Sequence, residues 1–187
     1  MERRGRIVIG VTGASGAIYA DRLLAHLRAL GQETHLVLTD MGKKVCAYEG
    51  FPEIAAKADK VYDNKDFFAP ISSGSYLHQG MVVLPCSMGT LGKMAHGTGD
   101  SLLTRAADVC LKEKRKLIIV PRETPMSALH LENQKLLADY GGVIIPANPS
   151  FYHQPATIED LVDTVLSRVL DHLGLDHDVG TRWRDPK

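Results

Sequence analysis

The sequence predicts an α/β fold with a doubly wound, mainly parallel sheet between two layers of helices. Two observations carry this prediction: six short apolar runs occur along the chain, and segments of helical periodicity fill most of the gaps between them. Together they indicate a Rossmann-like, three-layer αβα arrangement, in which ligands bind at the carboxyl ends of the strands. The 187 residues suit one domain over 1–187, with residues after about 174 as a C-terminal tail.

The six apolar runs justify the sheet. The first, over 7–11, is β-branched and apolar throughout, as in a parallel strand that is covered on both faces. The other predicted strands span 34–38, 60–62, 80–84, 117–120 and 143–145. Residues 64–79 form one long stretch of turn residues, and a loop of that length in a compact domain is more often functional than idle.

A glycine turn joins the first strand to a helix. Gly10, Gly13 and Gly16 are followed by apolar residues on one helical face, namely Ala20, Leu23, Leu24, Leu27 and Leu30. A strand, a glycine turn and a helix N-terminus present backbone N–H groups, so we expect an anion-binding site here. The spacing G-x-x-G-x-x-G differs from the dinucleotide fingerprint. The pattern therefore does not identify the anion, and a tight turn that binds no ligand is the alternative.

The balance of charges and the lack of long apolar runs argue against several classes of function. The 22 basic and 22 acidic residues cancel, so the composition indicates neither a nucleic-acid partner nor a membrane surface. No apolar run approaches the ~20 residues of a membrane span and no convincing signal peptide is present, so we expect a cytoplasmic protein.

Cys46, Cys86 and Cys110 are odd in number and widely spaced. They are expected to be small buried residues rather than disulfide partners or metal ligands.

Two segments after predicted strands carry candidate site residues. Ser87, Met88, Gly89 and Thr90 begin a helix after the fourth strand and could offer hydroxyl and N–H groups to a ligand; alternatively, Ser87 only caps that helix. Arg122 and Glu123 follow the fifth strand. Arg122 could hold a phosphate while Glu123 acts as an acid beside it. The alternative is a surface salt bridge of little energetic value.

Two helices carry further candidates. The helix after residue 157 is predicted to begin with a Thr157 cap and an Asp160 partner and to bury Leu161, Val165 and Val169. Its Arg168 could simply complement the helix dipole. In the segment 100–116, Arg105, Asp108 and Lys112 lie opposite the apolar stripe, as on a solvated face. If these residues bind a phosphate instead, the site must be completed between subunits.

Five segments carry a resemblance to a known family. The segments "VTGASGAIYA", "APISSGS", "PCSMGTL", "LLTRAADVCLKEKRKLIIVPRETPMSALHLEN" and "NPSFYHQPATIEDLVD" resemble the flavin prenyltransferases, the UbiX family, which was formerly described as aromatic-acid or 3-octaprenyl-4-hydroxybenzoate decarboxylases. The resemblance covers nearly the whole chain in order. The block from "TRAADV" to "HLEN" and the motif "FYHQP" are far more specific than the glycine turn.

The resemblance implies a metal-independent flavoprotein that transfers a dimethylallyl group from dimethylallyl phosphate to N5 and C6 of reduced FMN. Inorganic phosphate is released, and the prenylated FMN serves as the cofactor of UbiD-type decarboxylases, which act in ubiquinone biosynthesis and aromatic-acid decarboxylation. Members are typically homododecamers with active sites between subunits. Such a site agrees with the outward polar face that carries Arg105.

The resemblance also implies a role for each matching residue. FMN is expected to contact Gly13, Ala14, Ser15, Thr39, Ser87, Met88, Gly89, Thr90 and Arg122. Dimethylallyl phosphate is expected to contact Tyr152, Arg168, Lys112, Arg105 and Glu49. The implied catalytic residues are Glu123 as the acid near the leaving phosphate, Ser15 in proton handling, Lys112, and Phe67 in the loop over the allyl group. Many relatives carry Trp at position 67, so Phe offers a smaller π face there.

Three alternatives remain. One is a flavoprotein similar to phosphopantothenoylcysteine decarboxylase, against which the "RET" and "FYHQP" motifs speak. Another is a non-catalytic FMN carrier. The third is an NAD(P)-dependent reductase with Asp40 as its ribose-binding acid, but Asp40 lies further from the glycine turn than the ~20 residues of that fingerprint.

Overall fold

The protein contains one six-stranded sheet in which every pair of neighbouring strands is parallel. The structure is a computed structural model that describes residues 5–180 together with 182 and 183. The strands lie in the order β3-β2-β1-β4-β5-β6. Their bounds are β1 Arg6–Val11, β2 Glu33–Leu38, β3 Lys60–Asp63, β4 Gly80–Cys86, β5 Lys116–Pro121 and β6 Val143–Ile144. The predicted doubly wound α/β fold is confirmed.

The described residues contain six α-helices, of which five lie between strands and the last follows β6. They are α1 Ala17–Ala29, α2 Asp40–Tyr48, α3 Met88–Ala95, α4 Leu102–Lys112, α5 Ala128–Asp139 and α6 Ile158–Leu173. Two short 3₁₀ turns, Ile54–Lys57 and Pro70–Ser72, flank β3. None of the described helices is long and apolar enough to cross a membrane.

The helices form two layers on opposite faces of the sheet. Successive side chains of a strand point to opposite faces, so Ile7 and Ile9 pack with α1 and α6, whereas Val8 packs with α3, α4 and α5. The predicted α1 face is buried, and each fully buried leucine contributes about 1.5–3 kcal/mol. Because α4 and α6 belong to different layers, residues on their outer faces are separated by the sheet.

The strand order places a crevice between β1 and β4. The chain runs from β1 outward to β2 and β3, and then returns to the other side of β1 with β4. Connections on the two sides lie on different faces of the sheet, so the loops after β1 and β4 diverge. The glycine turn and the segment after Cys86 therefore meet at the switch point, where the sequence predicts a ligand.

One prediction about α6 was wrong: the first apolar residue of its buried face lies one position later in the chain than predicted. Thr157 caps the helix and Asp160 completes the capping box, as predicted. However, Leu161 is only partly buried, and Val162 takes its place in the core. Both residues are apolar, so the periodicity at this end of the helix does not distinguish them.

The C-terminal tail docks on its own chain. Gly174 ends α6 with φ of 75°, and Leu175 and Val179 then pack against the core. His177 is buried, and the ring of Trp183 lies against the ring of Tyr152. Residues 181 and 184–187 lie outside the described part.

The cysteines are as predicted. Cys46, Cys86 and Cys110 are free and buried. Burial raises the pKa of all three thiols, that of Cys110 to about 12.

Candidate active site

Most of the predicted flavin-binding residues lie together at the carboxyl edge of the sheet. Ala14 and Ser15 follow β1, Thr39 follows β2, Ser87 follows β4 and Arg122 follows β5. These four strands are neighbours in the sheet. The side chains of Ala14 and Met88 are buried, with 6% and 7% exposure, so these two residues can offer a ligand mainly their backbone groups.

A cavity opens at this switch point. We call it the switch-point cavity; its volume is about 540 Å³, which is in the range of about 300–1,000 Å³ typical of cofactor sites. Its walls include five of the predicted flavin-binding residues, namely Gly13, Thr39, Ser87, Gly89 and Thr90. Asn64 and Lys65, from the loop after β3, close one side.

The anion at the N-terminus of α1 is supplied by the protein itself. The carboxylate of Glu49 accepts hydrogen bonds from the N–H groups of Gly16, at 3.0 and 3.1 Å, and of Ala17, at 2.7 Å. It also hydrogen-bonds the Ser15 side chain. Burial acts to raise the pKa of Glu49, but these hydrogen bonds and the charge of Arg122 hold it below its ordinary value. In this structure a side-chain carboxylate therefore binds the N–H groups at which the sequence predicts an anion site, and the contact of Glu49 with substrate stays a prediction.

The glycines of this turn are required by the backbone and by packing. Gly16 has φ of 115°, in the left-handed region that favours glycine. A Cβ atom on Gly13 would lie 2.7 Å from Cβ of Met41, which is too close for any other residue. These two glycines therefore bring α2 and the Glu49 carboxylate close to the end of β1.

The N-terminus of α3, in contrast, has no side-chain cap within the described residues. The Ser87 hydroxyl donates to Thr90 Oγ1 at 3.1 Å, and the Ser87 N–H donates to Thr12 Oγ1 at 2.7 Å. The alternative that Ser87 merely caps this helix is wrong. The first N–H groups of α3 thus lie beside the switch-point cavity without an internal acceptor, as in a helix that receives a ligand there.

Arg122 and Glu123 do not pair with each other in the described structure. Arg122 Nε donates to the carbonyl oxygen of Ser15 at 3.0 Å, which ties the end of β5 to the glycine turn. Glu123 Oε1 accepts from the N–H of Thr124 at 3.0 Å, and its side chain is only partly buried. The salt-bridge alternative is therefore wrong, and both charged groups remain at the carboxyl edge.

A second cavity contains Tyr152 and Arg168. We call it the α6 cavity; its volume is about 390 Å³. Arg168 is exposed, and its Nη1 donates to Asp171 Oδ2 at 2.9 Å. The rings of Tyr152 and Trp183 meet edge to face, with centroids 5.0 Å apart. Sequence reasoning missed Asp171 and the contact with Trp183, because no motif or periodicity connects the tail with α6.

Arg105 and Lys112 lie in the opposite layer, on the outer face of α4, as predicted. Arg105 Nε donates to the Ser72 carbonyl oxygen at 3.1 Å, and its Nη1 donates to Asp108 at 2.6 Å. Lys112 pairs with Glu113. Phe67, in the long loop, is 44% exposed.

Within one chain, the candidate residues therefore form separate groups. The switch-point cavity and the α6 cavity share no lining residue, and Lys112 lies across the sheet from Arg168. Among the residues that the structure describes, no three His, Cys, Asp or Glu side chains form a group that could hold a metal ion.

Comparison with known proteins places the chain in a family. A family model described as Flavoprotein matches residues 1–170. The flavin prenyltransferase UbiX of Methanothermobacter thermautotrophicus is 47% identical over 180 residues, which are 95% of this chain and 94% of that protein.

Two solved structures are also similar. A structure of AnUbiX (PadA1) in complex with FMN and dimethylallyl pyrophosphate has a TM-score of 0.94 and 43% identity, and the match covers 99% of this chain and 100% of that chain. A dodecameric FMN-dependent UbiX-like decarboxylase from Escherichia coli O157:H7 has a TM-score of 0.93 and 44% identity, and the match covers 96% of this chain and 100% of that chain. The chain therefore belongs to the flavoprotein family and, within it, to the UbiX flavin prenyltransferases.

Proposed function

We propose that this protein transfers the dimethylallyl group of dimethylallyl phosphate to N5 and C6 of reduced FMN and releases inorganic phosphate. The observation that carries the proposal is the switch-point cavity, whose wall includes Gly13 of the glycine turn and the uncapped N-terminus of α3 at Ser87, Gly89 and Thr90. Ser15, in the same glycine turn, is contacted by Glu49 and Arg122. The relative that was solved with FMN and dimethylallyl pyrophosphate supports the same assignment.

The residues of the switch-point cavity fit FMN. The free N–H groups of α3 and the hydroxyl of Thr90 can bind acceptor atoms of a flavin nucleotide, and the volume of about 540 Å³ accommodates one. The Thr39 hydroxyl accepts from the Gly42 N–H at 2.9 Å, so it keeps its proton for a ligand. When bound, reduced FMN supplies the electron-rich N5 and C6 atoms to which the allyl carbons bond.

We propose that the Ser15 hydroxyl handles a proton at the flavin and that Glu49 orients this hydroxyl. The carboxylate of Glu49 is fixed by backbone N–H groups and hydrogen-bonds the Ser15 side chain. Its lowered pKa keeps it ionised at neutral pH, so it can accept from the Ser15 hydroxyl and orient that group. Arg122 places a positive charge beside this pair and balances the carboxylate.

Breaking the allylic C–O bond, with one proton delivered to the leaving oxygen, separates hydrogen phosphate, a dianion, from a delocalised carbocation. Donors are needed at the phosphate, and Arg168, Lys112 and the Tyr152 hydroxyl supply them, with Arg105 nearby. The ring of Phe67 supplies a π face to the cation. Glu123 acts as the acid for the leaving phosphate.

This assignment requires more than one copy of the chain. Lys112 and Arg168 lie on opposite faces of the same sheet, so they contact one phosphate only if they come from different subunits. The E. coli relative is described as dodecameric, and we propose a closed oligomer for this chain as well, with the active site between copies.

We propose that a second enzyme uses the product. Prenylated FMN is a cofactor rather than an end product, so it passes to a decarboxylase of the UbiD type. We place the reaction in the cytoplasm, where the three free thiols stay reduced.

The test is an anaerobic incubation of the purified protein with reduced FMN and dimethylallyl phosphate, followed by mass spectrometry of the flavin. We expect a mass gain of one dimethylallyl group and release of one phosphate per flavin. A protein that binds FMN and returns it unchanged at every pH tested would instead be an FMN carrier, and the proposal would be wrong.

A further inference from the structure

Asp171, in the last turn of α6, binds three cationic or potentially cationic side chains at the wall of the α6 cavity. Its Oδ2 accepts from Arg168 Nη1 at 2.9 Å, and its Oδ1 accepts from Arg182 Nη2 at 2.9 Å. Arg182 Nη1 lies 3.3 Å from Oδ2, so its guanidinium contacts both carboxylate oxygens. Nε2 of the buried His177 lies 3.2 Å from Oδ1. One carboxylate thus joins Arg168 to the C-terminal segment.

Arg168 depends on this carboxylate for its position. Its side chain is 62% exposed, and within the described residues Asp171 is the one hydrogen-bond and ion-pair partner of its guanidinium. A long side chain loses rotamer freedom when it binds an anion, and a guanidinium that is already held has lost part of that freedom beforehand. Asp171 therefore prepares Arg168 for binding.

The charges around Asp171 are consistent with an anion site. Burial acts to raise the pKa of Asp171, but the hydrogen bond and charge of Arg182, with the charges of His177 and Arg168, hold the pKa below its ordinary value. The ionised carboxylate keeps two like-charged guanidinium groups side by side. Without that carboxylate the two guanidinium groups would repel each other, and Arg168 would lose the acceptor that holds it.

The same carboxylate anchors the tail. Arg182 and His177 fix the segment that carries Trp183, and the Trp183 ring lies against Tyr152, which also lines the α6 cavity. The two side chains expected to hold the donor phosphate, Arg168 and Tyr152, are therefore both supported from Asp171, one directly and one through the tail.

We propose that Asp171 is a positioning residue for the phosphate end of the prenyl donor, acting through Arg168 and through the tail that supports Tyr152. This inference rests on the proposed function. Asp171 itself contacts neither the flavin nor the reacting carbons.

The test uses Asp171→Asn in the FMN-loaded, full-length protein. We expect the KM for dimethylallyl phosphate to rise about tenfold, the size expected for the loss of one charge-assisted hydrogen bond. The affinity for FMN should stay within twofold of wild type, and kcat at saturating donor should change less than KM. Asp171→Glu, which keeps the carboxylate, should recover most of the effect. A merely structural role would instead lower FMN affinity and kcat together.

Asp176→Asn is the matched control, since Asp176 is exposed on the same segment. It should leave the KM unchanged. If Asp171→Asn does not fold, Arg182→Gln replaces it, because Arg182 is half-exposed, and a several-fold rise in the same KM is expected. If the folded Asp171→Asn protein has the wild-type KM, the inference is overturned. If Arg182→Gln has been used in its place, a wild-type KM in that variant overturns it.

A second measurement separates this inference from the proposed function. Inorganic phosphate is titrated into the FMN-loaded wild type and the Asp171 variant, with binding followed by calorimetry. We expect about tenfold weaker binding to the variant. Equal binding overturns the role of Asp171. A wild type that binds phosphate but forms no prenylated flavin would count against the function and not against Asp171.

Discussion

At the scale of single residues, Glu49 explains why a glycine turn typical of phosphate sites need not bind a phosphate. Its carboxylate satisfies the N–H groups of Gly16 and Ala17 and approaches the Ser15 hydroxyl. The helix dipole therefore stabilises a residue of the protein, which is held next to the Ser15 side chain. The free helix N-terminus of the cavity is that of α3.

Replacing Glu49 by Gln should destabilise the protein. The amide keeps one acceptor and loses the charge, so we expect a loss of about 1–2 kcal/mol in the free energy of unfolding at pH 7, measured by urea denaturation. Because the pKa of Glu49 is lowered in the folded state, this contribution is complete above the unfolded value of about 4.3 and is lost as pH falls through the folded value. Exposed Glu53 gives the control, Glu53→Gln. A deficit of Glu49→Gln that persists at the lowest pH would contradict this account.

Replacing Glu123 by Gln should leave FMN bound but slow prenyl transfer. Loss of a general acid typically costs at least about a hundredfold in rate, and we expect that decrease in single-turnover experiments that follow the prenylated flavin. Exposed Glu132 on α5 provides the control, Glu132→Gln. Unchanged turnover in the Glu123 variant would remove this residue from the mechanism.

Substitution of Phe67 tests whether the aromatic ring at this position contributes to prenyl transfer. Phe67→Leu keeps an apolar side chain but removes the ring, so we expect prenyl transfer to slow about tenfold, in line with one cation–π contact. Phe67→Trp should retain the activity. The adjacent Phe68 is 99% exposed, and Phe68→Leu should have no effect on single-turnover rates. Equal rates for the two leucine variants would exclude a role for the ring.

At the scale of the elements, α6 begins with a reciprocal cap and contributes residues to the wall of the α6 cavity. Thr157 accepts from the Asp160 N–H at 3.1 Å, and Asp160 accepts in return from the Thr157 N–H at 3.0 Å. Thr157→Ala should lower the free energy of unfolding by about 1 kcal/mol, as measured in urea. Thr98→Ala, in an exposed turn, is the control. A loss no greater than that of the control would show that the cap does not stabilise α6.

The strands and helices could be predicted from sequence wherever a local pattern of residues was enough to determine them. All six strands were found, because parallel strands covered on both faces are apolar throughout. The turn residues also located the carboxyl-edge site. Leu161 and Val162 could not be distinguished, since either is apolar. Asp171 was missed because its partners Arg182 and His177 are tertiary contacts of a polar tail. The contact of Glu49 with the N-terminus of α1 was missed because it is likewise tertiary.

At the scale of the whole molecule, the sheet separates two groups of residues that we propose bind the same phosphate. The layer of α4 carries Lys112 and Arg105, and the layer of α6 carries Arg168. Rearrangement of a side chain cannot bring Lys112 and Arg168 to one phosphate, because the sheet lies between their helices. Assembly of several copies can, and a closed oligomer repeats the same contact at every interface.

Complementation between two inactive variants tests this account most directly. Lys112→Ala and Arg168→Ala chains are co-expressed with different affinity tags, purified through both tags and assayed anaerobically with reduced FMN and dimethylallyl phosphate. If each site takes Lys112 from one copy and Arg168 from another, about one quarter of the sites in a random oligomer are intact, and that share of wild-type flavin prenylation is expected. A mixed oligomer as inactive as each variant alone would contradict the shared site.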